Sequence, residues 1–264
     1  MEPTKTLFDG DFGQVAVFLD FENLVLGAAN EFDGHGESVP AKALGWLCRG
    51  FGNASIRRAY ADWANPKFGN HQNELAMNGV DLVQIGRWGG AGQHKNAADI
   101  RLAVDAMETL ITHPMVGVFV LATGDSDYTP LVTRLREHGK QVIGVGTKAS
   151  ASKRLVSVCT QYRFWGALVA EADPAIKTPS VVDADLAEAE QLLVRAFGML
   201  TTDTPTASAL KSKLRTLDPS FDEVNYGCRN FREFLARFPT RVTQVGDSGM
   251  DKTYSLVEDQ AVSL

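Results

Sequence analysis

Four aspartates carry the chemistry this sequence has to offer: Asp20, Asp99, Asp125 and Asp127. Asp20 closes the β-branched and aromatic run QVAVFLDF (Gln14 to Phe21), with Glu22 and Asn23 just beyond it. Asp125 and Asp127 flank Ser126 directly after the apolar run that starts at Val116 and ends in Gly124. Several carboxylates cannot share one pocket at neutral pH without a counter-charge, because like charges raise each other's pKa. A divalent cation supplies that charge. Aspartate oxygens are hard ligands suited to Mg²⁺ or Mn²⁺, and Mg²⁺ binds through one or two carboxylates plus substrate phosphate oxygens. The corresponding chemistry is metal-assisted hydrolysis of a phosphodiester in RNA or DNA.

Such a site needs elements that bring distant acids together. Gln14 to Phe21, Ser55 to Trp63, Val80 to Gly86, Val116 to Ala122 and Gln141 to Val145 read as strands. Val39 to Phe51, His71 to Met77, Ala97 to His113, Tyr128 to His138 and Ser152 to Tyr162 read as helices. About five strands alternating with helices predict a doubly wound α/β domain with a parallel sheet. In the helix from Ala97, residues Asp99, Leu102, Ala103, Ala106 and Leu110 share one face, so Asp99 heads the stripe turned to the sheet. In a βαβ unit that helix starts at the carboxyl edge of the strands, where Asp20 and Asp125 already lie. Asp127 is ambiguous, since it either ligates an ion or serves only the first turn of the next helix. Lys95, Arg57 and Lys148, with Arg58 and Arg87, are candidate phosphate contacts around the edge. The five histidines show no ligand spacing.

Composition bounds the partners. The chain has 264 residues and a net charge of −6. Residues 1–170 hold 16 cations against 17 acids, residues 171–190 one against six, and residues 191–264 nine against nine. The acidity therefore sits in one short stretch, and neither flank excludes a polyanion. Three cysteines without CxxC spacing argue against a disulfide framework or zinc site. The longest apolar run is too short to span a bilayer, and the first residues carry acids and no apolar core of a secretory signal, so no membrane association and a cytoplasmic location are expected.

Residues 171–185 have two prolines, several acids and no periodicity, and read as a linker between a domain at 1–170 and a second at 186–264. The second shows helical patterns at 186–199, 207–217 and 226–237, then a hairpin turning at Asp247–Ser248–Gly249. Three helices and a hairpin predict a small winged-helix module.

The segments FLDFEN (Phe18 to Asn23), KNAADI (Lys95 to Ile100) and TGDSD (Thr123 to Asp127), in this order and followed by LREHGKQVIGVG, resemble the NYN domain, a PIN-like branch of metal-dependent ribonucleases. The resemblance covers roughly residues 14–166. It implies that Asp20, Asp99, Asp125 and Asp127 form the metal-binding cluster, that Asn23 and Ser126 support it, and that hydrolysis leaves 5′-phosphate and 3′-hydroxyl ends. VNYGCRNFREFL (Val224 to Leu235) resembles an OST-HTH or LOTUS domain, a winged helix that binds RNA or protein, over about residues 186–257. The expected function is thus a metal-dependent endoribonuclease with an RNA- or protein-binding module. The alternative is an RNA-binding adaptor whose nuclease site is weak or silent. A phosphatase of the haloacid dehalogenase type fits poorly, because Glu22 stands where that family's second aspartate is required and Asp99 would have no role.

Overall fold

The computed structural model describes residues 13–32, 39–86, 96–173, 175–176, 186–249 and 251–257. Two compact units divide between Pro179 and Ser180.

In the first unit six strands form one parallel sheet: β1 (Gln14–Asp20), β2 (Ala54–Ala61), β3 (Asp81–Gln84), β4 (Val116–Ala122), β5 (Gln141–Gly146) and β6 (Gln161–Phe164), in the order β3-β2-β1-β4-β5-β6. β1 and β4 are central and buried on both faces, which is why they read as unbroken apolar runs rather than alternating ones. Strand parity divides the core. Val15, Val17 and Leu19 face α1 (Phe21–Phe32), α2 (Ala41–Arg49) and α8 (Trp165–Ala172). Ala16 and Phe18 face α5 (Ala97–Thr112), α6 (Thr129–Glu137) and α7 (Lys153–Val158), with Phe18 stacked on Phe119 at 6.2 Å. Asp20, two residues after Phe18, belongs to the α5 and α6 face. The strand order reverses between β1 and β4, so a crevice opens at their carboxyl ends, and the acids lie there. Two short helices, α3 (Pro66–Gly69) and α4 (Gln72–Met77), join β2 to β3.

The sixth strand is a correction. Residues 152–162 read as one helix, but α7 stops at Val158 and Cys159 turns extended at φ −67°, ψ 156°. Thr160 N–H then donates to Val142 O at 2.8 Å and carries the chain into β6. Tyr162 fits only because β5 has glycines opposite it. A Cβ on Gly144 would lie 2.3 Å from the Tyr162 ring, and one on Gly146 would lie 2.3 Å from its hydroxyl. That hydroxyl, buried with the ring, donates to Thr123 O at 3.0 Å, at the mouth of the acidic turn. Tyr162→Phe leaves this carbonyl unpaired and is expected to cost about 1–2 kcal/mol. Differential scanning calorimetry that shows an unchanged midpoint would refute this contribution.

Strand parity also decides the two arginines of β2. Arg57 turns to α2, where its Nε donates to Cys48 O at 3.1 Å. Arg58 turns to α5 and lies 3.5 Å from Asp105, a buried carboxylate that also accepts from Tyr60 Oη at 2.9 Å and Arg101 Nε at 3.0 Å. The sheet-facing stripe of α5 therefore runs through Leu102, Asp105, Ala106 and Thr109, so the predicted stripe rotates toward Asp105 and Thr109.

The second unit contains α9 (Leu186–Gly198), α10 (Ala207–Leu217), α11 (Phe231–Leu235) and an antiparallel hairpin of β7 (Val242–Ser248) and β8 (Asp251–Leu256). Leu193, Leu210, Leu214, Phe221 and Phe234 form its core. Thr206 caps α10 by accepting from Ala209 N–H, and Asn230 caps α11 by accepting from Glu233 N–H. The predicted helix at 226–237 is shorter because Gly227, at φ +69°, ends a 3₁₀ turn (Glu223–Tyr226) before α11 begins. The hairpin turn is tighter than expected: Ser248 remains in β7 and Gly249 adopts φ +63°.

Candidate active site

Asp20, at the carboxyl end of β1, is 5% exposed and sits between Tyr60 of β2 and the residue that follows β4. Its Oδ1 accepts from Asn23 N–H at 3.2 Å. Its Oδ2 has only long contacts, with Thr123 Oγ1 at 3.5 Å and Tyr128 Oη at 3.4 Å. α1 starts at the residue after Asp20, so Glu22 and Asn23 are held in its first turn. Asn23 ties β1 to the turn after β4: its Oδ1 accepts from Gly124 N–H at 3.1 Å. In that turn Asp125 N–H donates to Thr123 Oγ1 at 3.2 Å, and Asp125 Oδ1 accepts from Asp127 N–H at 2.9 Å. Asp125 is thus the N-cap of the 3₁₀ turn Ser126–Tyr128 and also a wall of the crevice. Asp99, in the first turn of α5, accepts from Tyr128 Oη at 2.9 Å.

These residues line a cleft of about 530 Å³ into which six carboxylates converge: Asp20, Glu22, Asp62, Asp99, Asp125 and Asp127. Among the described residues, no lysine, arginine or histidine lines it. The electrostatic result follows. Burial pushes the Asp20 carboxyl up to about 7; the Asn23 N–H opposes this, while Asp99 and Glu22 add to it. Burial also raises Asp99, the Tyr128 hydroxyl opposes that, and Asp125, Asp127 and Glu22 reinforce it. Tyr128, raised by burial and then by Asp20 and Asp99, remains a phenol and so a hydrogen-bond donor.

A divalent ion fits this donor set. Six carboxylates line the cleft with no lysine, arginine or histidine among its described lining residues, and Asp20 Oδ2 has no close donor among the described residues. No group of three or more acids, histidines or cysteines among the described residues forms a ready-made cation cage. Mg²⁺ does not require one, because it retains waters and takes substrate phosphate oxygens.

The structure gathers Asp20, Asn23, Asp99, Asp125 and Asp127 around one cleft. It does not bring Arg57, Lys148 or Ser126 to its lining. Arg57 is bonded to α2, and the Lys148 ammonium lies 6.0 Å from the Phe164 ring centre while the Lys148 backbone N–H donates to Glu31 Oε2 at 2.8 Å. Ser126 contributes its carbonyl to Thr129 Oγ1 at 2.6 Å. Lys95 and Arg87 lie outside the described residues. Three residues of the site were not singled out from the sequence: Glu22 and Asp62, which line the cleft, and Tyr128, which bonds to Asp99. Glu22 and Asp62 form a pair of their own, since Glu22 Oε1 accepts from Asp62 N–H at 2.8 Å, and Gln84 Nε2 donates to Asp62 Oδ1 at 3.0 Å. The available signal for Asp62 is its place at the carboxyl end of the predicted strand Ser55 to Trp63.

Among solved structures, a protein of unknown function from Vibrio parahaemolyticus is similar at 20% identity and a TM-score of 0.48, over 60% of this chain and 96% of that one. No curated protein matches. The NYN domain profile matches residues 14–166, more than half of the 264 residues and a span that holds every carboxylate of the cleft. The chain therefore belongs to the NYN domain family, part of the PIN-like nuclease superfamily.

Proposed function

We propose that this NYN domain is a divalent-metal-dependent endoribonuclease. The observation that carries the reading is the convergence of six carboxylates, with no cation lining the cleft among the described residues, at the reversal point of a PIN-like sheet. Asp20, Asp99 and Asp125 hold Mg²⁺ or Mn²⁺, Asp127 stands next to them, and Asn23 fixes the β4 turn against β1. The ion, when bound, activates water and offsets charge on the phosphate oxygens. Glu22 and Asp62 keep the other side of the cleft acidic. Lys95, which lies outside the described residues, is the first candidate for an RNA contact, followed by Ser126 and Lys148. Arg57 is not proposed as a contact, because its guanidinium serves α2.

Incubation of the full chain with single-stranded RNA should give internal cleavage in Mg²⁺ or Mn²⁺ and none in EDTA. Cleavage that persists in EDTA, or none at any metal concentration, sinks the reading. A DNA oligonucleotide of the same sequence serves as the substrate-class control. One observation favours the adaptor reading, namely that no ready cation cage exists among the described residues. An adaptor would bind RNA equally with and without metal and leave it intact. The three helices and hairpin of the second unit support an OST-HTH-type winged helix that recruits RNA or a protein. Lys211, Arg215, Arg241 and Lys252 there are each paired with an acid, so the unit presents no simple basic face on these residues. Among the described residues no helix is long and apolar enough to cross a membrane. A cytoplasmic location remains part of the proposal.

A further inference from the structure

We propose that Tyr128 is a positioning residue for the metal site, its hydroxyl clamping Asp20 and Asp99 in the arrangement that receives the ion. The inference rests on the metal-dependent reading above. Tyr128 is 2% exposed, and its hydroxyl lies 2.9 Å from Asp99 Oδ1 and 3.4 Å from Asp20 Oδ2. A phenol has one proton to donate. The shorter contact assigns it to Asp99, which leaves Asp20 Oδ2 with only the longer approach of this hydroxyl and of Thr123 Oγ1. One side chain therefore fixes an oxygen of Asp99 and leaves an oxygen of Asp20 available to a cation.

Its backbone makes the clamp more than a local contact. Tyr128 ends the 3₁₀ turn that Asp125 caps, and its N–H reaches Asp125 O at 3.4 Å. The same residue thus spans the β1 terminus, the first turn of α5 and the turn after β4, the three segments that carry the acids. The ring is buried in the same core cluster as Leu102, Leu131 and Leu155, so the hydroxyl has little freedom to move away. Groups that hydrogen-bond metal-ligating side chains set ligand orientation, and their loss typically weakens metal affinity by about 10–100-fold.

The test is Mn²⁺ binding to the full chain by isothermal titration calorimetry, without RNA. Tyr128→Phe keeps the ring and removes only the hydroxyl. It should weaken Mn²⁺ binding by about 10-fold or more and lower kcat for RNA cleavage, with KM for RNA little changed. Leu131→Ala is the control for a merely structural role, since it removes packing from the same core. It should lower the melting temperature without changing Mn²⁺ affinity. Wild-type affinity in Tyr128→Phe, with binding lost in Asp20→Asn, overturns the clamp and leaves the metal site standing. Absence of Mn²⁺ binding by the wild-type chain overturns both. Equal losses of affinity in Tyr128→Phe and Leu131→Ala also overturn the clamp, because a loosened core would then explain them.

Discussion

Asp20→Asn is expected to reduce metal-dependent RNA cleavage by about 10²–10³-fold, the scale seen when a group that stabilises transition-state charge is removed. Asparagine keeps the shape of the side chain, and its carbonyl can still accept from Asn23 N–H, so the fold should survive. Only the charge is lost. The same substitution should stabilise the metal-free protein, and the sign follows from the carboxyl's raised pKa. Asp20 titrates near 7 in the fold, against 3.8 for the free group. The protonated acid is the form the fold prefers, so its contribution is complete below about 3.8 and is lost as pH rises through about 7. Above pH 7 the metal-free wild type carries a strained carboxylate and Asp20→Asn does not. Thermal melts in EDTA should therefore show a higher midpoint for Asp20→Asn at pH 8 and convergence of the two proteins toward pH 4. Saturating Mn²⁺ should reverse the order at pH 8 by stabilising only the wild type. Wild-type cleavage by Asp20→Asn would overturn the assignment of Asp20 to the site.

Three of these acids were legible in the sequence because each marks an element boundary. Asp20 and Asp125 terminate the two most continuous apolar runs, and parallel strands bury both faces, so a carboxylate at their ends has one available place. Asp99 followed from helical spacing and from the direction a crossover helix must run. Tyr128 gave no such signal. It reads as an aromatic at the start of α6, and its part in the site depends on a hydroxyl reaching two acids that are 108 and 29 residues away. Asp62 was hidden for a similar reason, since β2 contains two arginines and does not read as a buried run. Those arginines show the limit of reading charge type alone. Their guanidinium groups suit phosphate, but alternation sends them to opposite faces of the sheet, one to a helix carbonyl and the other to buried Asp105. β6 was missed because only four residues form it, at the sheet edge, and two of them, Gln161 and Arg163, are polar.

Gly124→Ala should damage stability and rate together, and the reason is space rather than backbone conformation. Gly124 has no positive φ. A Cβ there would lie 2.4 Å from Ser150 O and 2.6 Å from its carbonyl carbon, so backbone, not the tip of a flexible side chain, must give way. The residue is held from both sides, its N–H donating to Asn23 Oδ1 at 3.1 Å and its carbonyl accepting from Ser152 N–H at 3.0 Å. Relief of the clash must shift either the 147–152 loop or the turn that carries Asp125. Overpacking of this kind costs about 1–3 kcal/mol, and a displacement on the order of 1 Å in a catalytic group costs about 10²-fold in rate. Gly139 provides the contrast. It has φ +74° and nothing within 4 Å of a built Cβ, so Gly139→Ala meets only the left-handed backbone penalty of about 1–2 kcal/mol. It lies between α6 and β5, away from the cleft lining. Thermal melts and single-turnover cleavage of both variants, run below their melting temperatures, separate the effects. Gly139→Ala should lose stability and keep its rate, whereas Gly124→Ala should lose both. A wild-type cleavage rate in Gly124→Ala would mean that the Asp125 turn tolerates displacement, and that the close approach of Ser150 serves packing alone.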